Sequence, residues 1–586
     1  MKNLHYKTIA LLFSILVFNA CDTSVLNVSP QDQMSDDSVW EDEALSQLFL
    51  NDMYIGMRHG LYEIQLSSLT DDSQFIHGYG TNEVVEGIVT PSNLGSWTHW
   101  NFEQYNWSNV YSRIRQVNIM LENIDDAVIS SEELRDQMKG EAHFLRAFFY
   151  HNLLRVYGGV PIIEQSYGLD DDLLVSRNTF AETVDFIVQE TDLAAELLNL
   201  EARELGRATQ GAAMALKSRI LLHAASDLYN DSPANELVGY TSGSQQDRWQ
   251  AAQTAAKDIM DLNKYSLYRQ HADATENYTQ LFLTNDDHEE IIMSRYFLSD
   301  KGDGENPAQH NGPNGYRGWA GNTPVQSIVD AYEMEDGSEF DWGNPEHAAA
   351  PYENRDPRFY ASILYDGAPW VEPPSVRVPH DPVGIIQTFE HVTLPNGDEV
   401  PGIDTRNGSI EDWNGSYSGY YLRKFIDNSI ENFQDEKQTV PWRFFRYAEI
   451  LFNYAEASME LNQEGEARDV INQIRDRAGM PDITESGQAL KDRYRNERRI
   501  ELFAETHRFF DIRRWKTAPN HYHDAQGIKI TADADDPTDR STYSNYEYTP
   551  MTIQSRGWDD SQYFVPIPND EMNRNDQLEQ NPNYPN

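Results

Sequence analysis

Three scarcities narrow the reading before any motif is sought. The 586 residues contain one cysteine, Cys21, so no internal disulfide can staple the fold. Basic residues are few: 46 lysines and arginines stand against 95 aspartates and glutamates, a formal charge of −49. Binding nucleic acid requires Lys and Arg to displace counterions, so an acidic surface of this kind excludes nucleic acid as a partner and weakly favours neutral ligands over polyanions. Long apolar runs are scarce too. The longest, Thr8 to Phe18, has eleven residues, whereas a spanning helix needs roughly 20; apart from any anchor, the mature chain is expected to be soluble. Enzyme signatures are also missing. There is no P-loop pattern, no HExxH pair and no Gly-x-Ser-x-Gly elbow. Carboxylate pairs are inevitable among so many acids and mean nothing without a spacing of ~5–9.5 Å across a scissile bond. An enzyme is not indicated.

What is present begins at the N-terminus. Lys2 and Lys7 precede the apolar run, and Asn19, Ala20 and Cys21 follow it. This is the layout of a secretory signal peptide over residues 1–20. Cys21 stands where a signal peptidase would cut and resembles the acylated cysteine of a bacterial lipobox, with Phe18 in place of the usual leucine. Two or more acyl chains hold a protein on a bilayer at ~0.8 kcal/mol per buried methylene. Cys21 is therefore the lipidation candidate, and residues 21–39 a polar tether.

Apolar residues recurring at three and four predict helices at about 40–57, 102–124, up to Val156, 180–199, 210–227 and 247–262. Gly158, Gly159 and Pro161 stop the third. The segment Gly211 to Ala225 is rich in small residues, which lets neighbouring helices approach closely. These belong to an N-terminal helical part, residues 40–264. From 265 to 440 Gly, Pro, Asn and Asp are dense and periodicity mostly lapses, although Tyr296, Tyr316, Trp319, Trp342, Trp370 and Trp413 argue for packed loops. A C-terminal helical part, 441–586, holds helices at about 441–461, 464–478 and 488–515 and an irregular stretch over 517–562. The expected fold is mainly α, built of degenerate helix pairs resembling tetratricopeptide units.

Several segments in order along the chain resemble the SusD-like (RagB/SusD) family: Ser29-Pro-Gln-Asp-Gln-Met-Ser-Asp-Asp37, Gly140-Glu-Ala-His-Phe-Leu-Arg-Ala-Phe-Phe-Tyr150, Val156-Tyr-Gly-Gly-Val-Pro-Ile162, and Arg207-Ala-Thr-Gln-Gly-Ala-Ala-Met-Ala-Leu216. Asp330-Ala-Tyr-Glu-Met-Glu-Asp-Gly337, Arg446-Tyr-Ala-Glu-Ile-Leu-Phe-Asn-Tyr-Ala-Glu-Ala457, Ile474-Arg-Asp-Arg-Ala-Gly479, Glu497-Arg-Arg-Ile-Glu-Leu-Phe-Ala-Glu505 and Phe564-Val-Pro-Ile-Pro568 with Asn581-Pro-Asn-Tyr584 complete the set. The resemblance implies four tetratricopeptide-like helix pairs with the loop-rich region packed on one side. It also implies an outer-membrane lipoprotein facing the cell exterior, which binds oligo- or polysaccharide and passes it to a SusC-like TonB-dependent transporter. A peptide ligand on the same architecture is the second reading, and a polysaccharide hydrolase in the loop-rich region the third.

Sugar rings present apolar C–H faces that stack on Trp and Tyr, while amides and charged groups reach the rim hydroxyls. Aromatics beside amides in loops are therefore the glycan-binding candidates. Trp319 and Tyr296 come first, with Tyr316 and Asn311 in the same region; His77, Tyr79, Asn82, Trp97, Trp100 and Asn101 form an earlier cluster. For each ring, packing of the loop against the helices is the alternative. Trp107 and Tyr111, at helical spacing, are expected in the core. Glu501 and Glu505, one turn apart, each have an arginine three residues away and are expected to pair structurally. No cofactor is expected: His521, His523 and Asp524 are followed by no further ligand at recognisable spacing, and Asp170-Asp171-Asp172 would hold a structural calcium only if six to eight oxygens converged.

Overall fold

The computed structural model describes residues 36–168, 171–430, 433–434 and 436–585; the leader, Cys21, tether residues 21–35 and Asp170 lie outside them. Its helices begin at polar caps. After α1 (Glu43–Tyr54) come α2 (Trp107–Asn123), α3 (Glu132–Tyr157), α4 (Phe180–Leu197), α5 (Gln210–Ala225), α6 (Gln245–Asp261), α7 (Tyr447–Glu460), α8 (Glu464–Arg477), α9 (Gly487–Glu501) and α10 (His507–Arg514). Side chains of Asn106, Ser131, Thr209 and Ser244 accept backbone N–H groups at four helix starts, and Thr179 with Glu182 forms a reciprocal capping box at the fifth. Gly158 closes α3 at φ 79°, where a Cβ would stand 2.4 Å from the Leu237 carbonyl oxygen, so only glycine fits.

From α2 to α9 each helix packs on the one before it, giving four antiparallel-type pairs in a row, as tetratricopeptide-like units do. Alanines 212, 213, 215, 224 and 225 of α5 are buried and permit the close spacing. The third pair, α6 with α7, is interrupted in sequence by residues 262–446, which carry the loop-rich region. Among the described residues no helix is long and apolar enough to cross a membrane.

Short strands organise the rest: β1 (Ser73–Phe75), β2 (Ile291–Arg295), β3 (Asn322–Pro324), β4 (His391–Thr393), β5 (Glu399–Val400), β6 (Trp442–Arg446), β7 (Ala525–Asp533) and β8 (Ser544–Gln554). β1 pairs antiparallel with β3, Gln74 opposite Thr323; β2 pairs with β6; and β8, β7, β4 and β5 form one sheet in that order. Three expectations change here. Residues 442–446 are strand, because β2 offers them a partner. The stretch 517–562 holds a long hairpin instead of irregular chain. The helix expected over 488–515 breaks between α9 and α10, where Ala504 and Thr506 take left-handed φ of 61° and 71°.

That break turns Glu505 toward an ionic cluster that clamps the loop-rich region to the helices. Arg358 meets Asp356 at 2.7 Å, Glu497 at 2.6 Å and Glu501 at 3.0 Å. Arg446 meets Glu290 at 2.8 Å, and Glu501 and Glu505 at 2.7 Å each. Arg475 joins Glu333 and Glu497, Arg477 joins Glu290 and Glu501, Arg493 joins Glu333, and Lys424 joins Glu505. Six cations thus face six carboxylates, nearly all buried. Burial alone would raise the Glu501 pKa, but Arg477, Arg446 and Arg358 hold it far below the usual carboxylate range. Glu501 and Glu505 are structural pairs, although their partners come from other elements and not from the arginines three residues away.

Candidate functional site

The β1–β3 pairing brings together the two loop clusters that the sequence keeps over two hundred residues apart. Beyond the strand ends the Ile76 N–H donates to the Gly321 carbonyl at 3.1 Å, and His77 Nε2 donates to the Trp319 carbonyl at 2.8 Å. Trp319 sits in a tight turn flanked by left-handed Arg317 (φ 66°) and Ala320 (φ 51°). Within it a Cβ on Gly318 would lie 2.1 Å from the Gly312 carbonyl oxygen. Tyr79 projects from Gly78-Tyr79-Gly80, three consecutive residues at positive φ, and Ser96 N–H donates to the Gly80 carbonyl at 2.8 Å to hold that turn. Non-glycine residues at such angles cost energy and persist only where neighbours impose them, often at ligand sites.

The rings of the earlier cluster contact one another in series. Tyr79 stacks on His99 with centroids 5.5 Å apart and planes 14° from parallel. His99 adjoins Trp100 at 5.7 Å, and Trp100 meets Tyr62 edge-on at 5.1 Å. On the other side Phe75 links Tyr79 to His77, and the Trp319 ring lies 5.7 Å from His310. Tyr79 is 53% exposed and Trp100 46%; Trp319 and His77 are partly exposed. Burial lowers the pKa of His77, its bond to the Trp319 carbonyl opposes this, and the nearby charge of Arg406 lowers it further. Burial pushes His310 down to about 4. Both rings are neutral at pH 7.

Four sequence candidates are not on this face. Tyr316, 6% exposed, lies under the Arg377 guanidinium at 4.2 Å and donates its hydroxyl to the Val371 carbonyl. Trp97, 3% exposed, packs into the core against Phe509 and Tyr105. Asn101 is buried with its oxygen accepting from Ile64 N–H, and Asn311 is buried against Asn322 and the Pro307 carbonyl. These residues shape the loops from within. Tyr296 is half-buried and touches none of these rings: its hydroxyl donates to Asp287, and its ring helps line a cavity of about 520 Å³ with Tyr54, Met57, Arg207 and Phe444. Asn82 is exposed beside Tyr79 and accepts from Gln554 Nε2 at 3.0 Å.

Trp413, expected among packed loops, is instead open to solvent. Trp413 is 64% exposed and Tyr417 is exposed nearby on the same loop. That loop is bolted to the turn bearing Trp319: the Asn314 amide donates to the carbonyls of Ile403, Thr405 and Ile410, and Gly315 N–H donates to the Asp404 carboxylate. Arg406 lies 4.2 Å over the Tyr417 ring and donates to the Trp413 and Gly415 carbonyls. Asp412-Trp413-Asn414-Gly415-Ser416-Tyr417 has the ring-beside-amide texture of the other clusters, and that was the available signal. Chemically the face offers flat apolar rings with polar groups between them. Among the described residues no group of three or more His, Cys, Asp or Glu is placed to hold a metal. Asp171 and Asp172 accept the local Gly168 and Leu174 N–H groups, and His521 pairs with Asp71 at 3.1 Å.

Two family descriptions match the chain: "SusD family" over residues 289–584 and "Starch-binding associating with outer membrane" over residues 26–222. The chain belongs to the SusD family. It is similar to a SusD-like protein of Formosa agariphila, 23% identical over 87% of this chain and 91% of that one. A crystal structure of a SusD-like protein from Bacteroides fragilis superposes with a TM-score of 0.74 at 28% identity, covering 95% of this chain and all of the other. A second B. fragilis structure, described as a SusD-like carbohydrate binding protein, has a TM-score of 0.72 at 24% identity over 92% of this chain and all of that one.

Proposed function

We propose that this protein captures oligo- or polysaccharide at the cell surface and passes it, without chemical change, to a SusC-like TonB-dependent transporter in the outer membrane. The observation that carries the reading is the set of solvent-reaching rings on linked loops: Trp100, His99 and Tyr79 in contact with one another, Trp319 tied to them through His77, and Trp413 and Tyr417 exposed on the loop bolted to the Trp319 turn. Such a surface suits the C–H faces of pyranose rings, and large rigid rings give contact area at small entropic cost. A relative described as carbohydrate binding and a family described as starch-binding and outer-membrane-associated support the same assignment. Acylation at Cys21 would anchor the chain, and a polar tether would let the face stand clear of the bilayer.

The test is binding by the wild type, Trp319→Ala and Trp413→Ala on a glycan array beside a pool of peptides. Glycan binding weakened tenfold or more in both variants, with unchanged thermal unfolding, is the expected result. Selective capture of peptides, or glycan binding indifferent to both tryptophans, would overturn the reading.

A further inference from the structure

We infer that the aromatic face takes an anionic glycan, carrying carboxylate or sulfate-ester groups, and that Arg406 is the residue that reads the negative charge. This rests on the capture reading above and narrows it. Carboxylates outnumber basic groups about two to one in this chain, and the arginines of the buried cluster each have theirs. Arg406 is different. No carboxylate lies within 4.0 Å of it among the described residues. Its recorded partners are two carbonyl oxygens, both served by one nitrogen, at 2.9 and 3.2 Å, and the face of Tyr417. A guanidinium has five N–H donors in a fixed fork, so most of the fork is left unused.

Its position is also specific. Arg406 is held on the Trp413–Tyr417 loop by its bonds to the Trp413 and Gly415 carbonyls, and that loop is tied to the turn bearing Trp319 through Asn314 and Gly315. The contact with Tyr417 helps hold the guanidinium at a partly exposed site. A sugar lying on the rings would bring its ring substituents alongside the fork, whose geometry matches carboxylate or sulfate oxygens in pairs. Arg317, exposed at the turn before Trp319, adds a second cation that pairs with no carboxylate within 4.0 Å among the described residues. The acids of the Trp413 loop accept local hydrogen bonds, Glu411 from Asn414 and Gln434 and Asp412 from the Trp413 N–H.

The net charge of −49 led to an expectation of neutral ligands, and here the local arrangement takes precedence. At physiological salt the Debye length is about 8 Å, so distant acids are largely screened at the face. A cation in direct contact with the ligand is not.

The experiment titrates the lipid-free full chain, with Arg406→Gln and Arg406→Lys, against polygalacturonate, carrageenan, laminarin, xylan and amylopectin. Carboxyl-reduced polygalacturonate and desulfated carrageenan serve as neutral matches. The expected result is binding of a charged polymer that falls about tenfold or more in Arg406→Gln, is partly restored in Arg406→Lys, and weakens from about 50 to about 500 mM salt. Removing the sulfate or the carboxylate from the polymer tells which group is read, and these arms use wild-type protein, so they stand even if a variant misfolds. Binding confined to neutral polymers and unchanged in Arg406→Gln overturns the inference and leaves glycan capture intact. Equal losses on charged and neutral polymers reduce Arg406 to a loop brace and also overturn it. Failure of every polymer to bind overturns both.

Discussion

Replacing Glu501 with glutamine removes the charge at the hub of the buried cluster while keeping its shape. Glu501 accepts from Arg358 at 3.0 Å and Arg446 at 2.7 Å, and also from Arg477. At an effective dielectric of about 20, each contact at these distances is worth about 6 kcal/mol of gross Coulomb energy. The glutamine also escapes the carboxylate's desolvation cost, several kcal/mol. Arg358 and Arg446 keep two carboxylates each, but Arg477 keeps only Glu290. Breaking a buried pair by removing one partner typically costs about 3–5 kcal/mol, and that is the loss expected from the urea midpoint of the variant. Because the cluster joins α8 and α9 to Glu290, Glu333, Arg358 and Lys424 of the loop-rich region, limited proteolysis should cut between residues 265 and 440 before the helices open. The pH dependence supplies an internal check. A carboxyl held low in the folded state stabilises fully above its ordinary value of 4.5, and the contribution is lost as pH falls below it. The wild type should therefore lose its advantage over the variant in acid. A destabilisation under 1 kcal/mol, or a difference that does not shrink with falling pH, would refute the reasoning.

Histidines act in a separate window. His310, pushed by burial from 6.5 to about 4, is neutral in the fold but binds a proton when unfolded, so stability should fall between pH 6.5 and 4 by about 3 kcal/mol on its account. His151, His223 and His507 shift the same way through burial; His310→Asn should flatten the slope, and a flat profile from pH 7 to 5 would contradict the assignment. At the N-terminus, Cys21→Ala should move the protein from the membrane fraction to the soluble one, and retention in the membrane would remove acylation as the anchor.

Legibility in the sequence followed the range of the interaction. The starts of α4, α5 and α6 were readable to within about two residues because three-to-four spacing acts within a turn or two of chain, whereas α2 begins at Trp107, five residues after its expected start. Even the hairpin of β7 and β8 left a local trace, since Ile528, Ile530 and Ala532 are buried and alternate with Lys529 and Thr531; the surrounding turn residues hid it. Exposure of rings was not readable in this way. Tyr316 and Trp319 lie three residues apart in one glycine-rich turn, yet Arg377 and Val371 cover the first while the second is left partly open beside His77. Trp97 was expected at the ligand face and Trp413 in a packed loop, yet Trp97 is sealed at 3% exposure and Trp413 is open at 64%.

By itself, the sequence determined the helical frame, the family and the kind of side chain a ligand face would use, because periodicity, capping and motif order are carried by neighbours along the chain. Only the tertiary structure decided which rings stay exposed, that Arg406 lies over the Tyr417 ring, and which arginines reach Glu501. Those outcomes depend on segments up to several hundred residues apart that cover, expose or neutralise one another once packed.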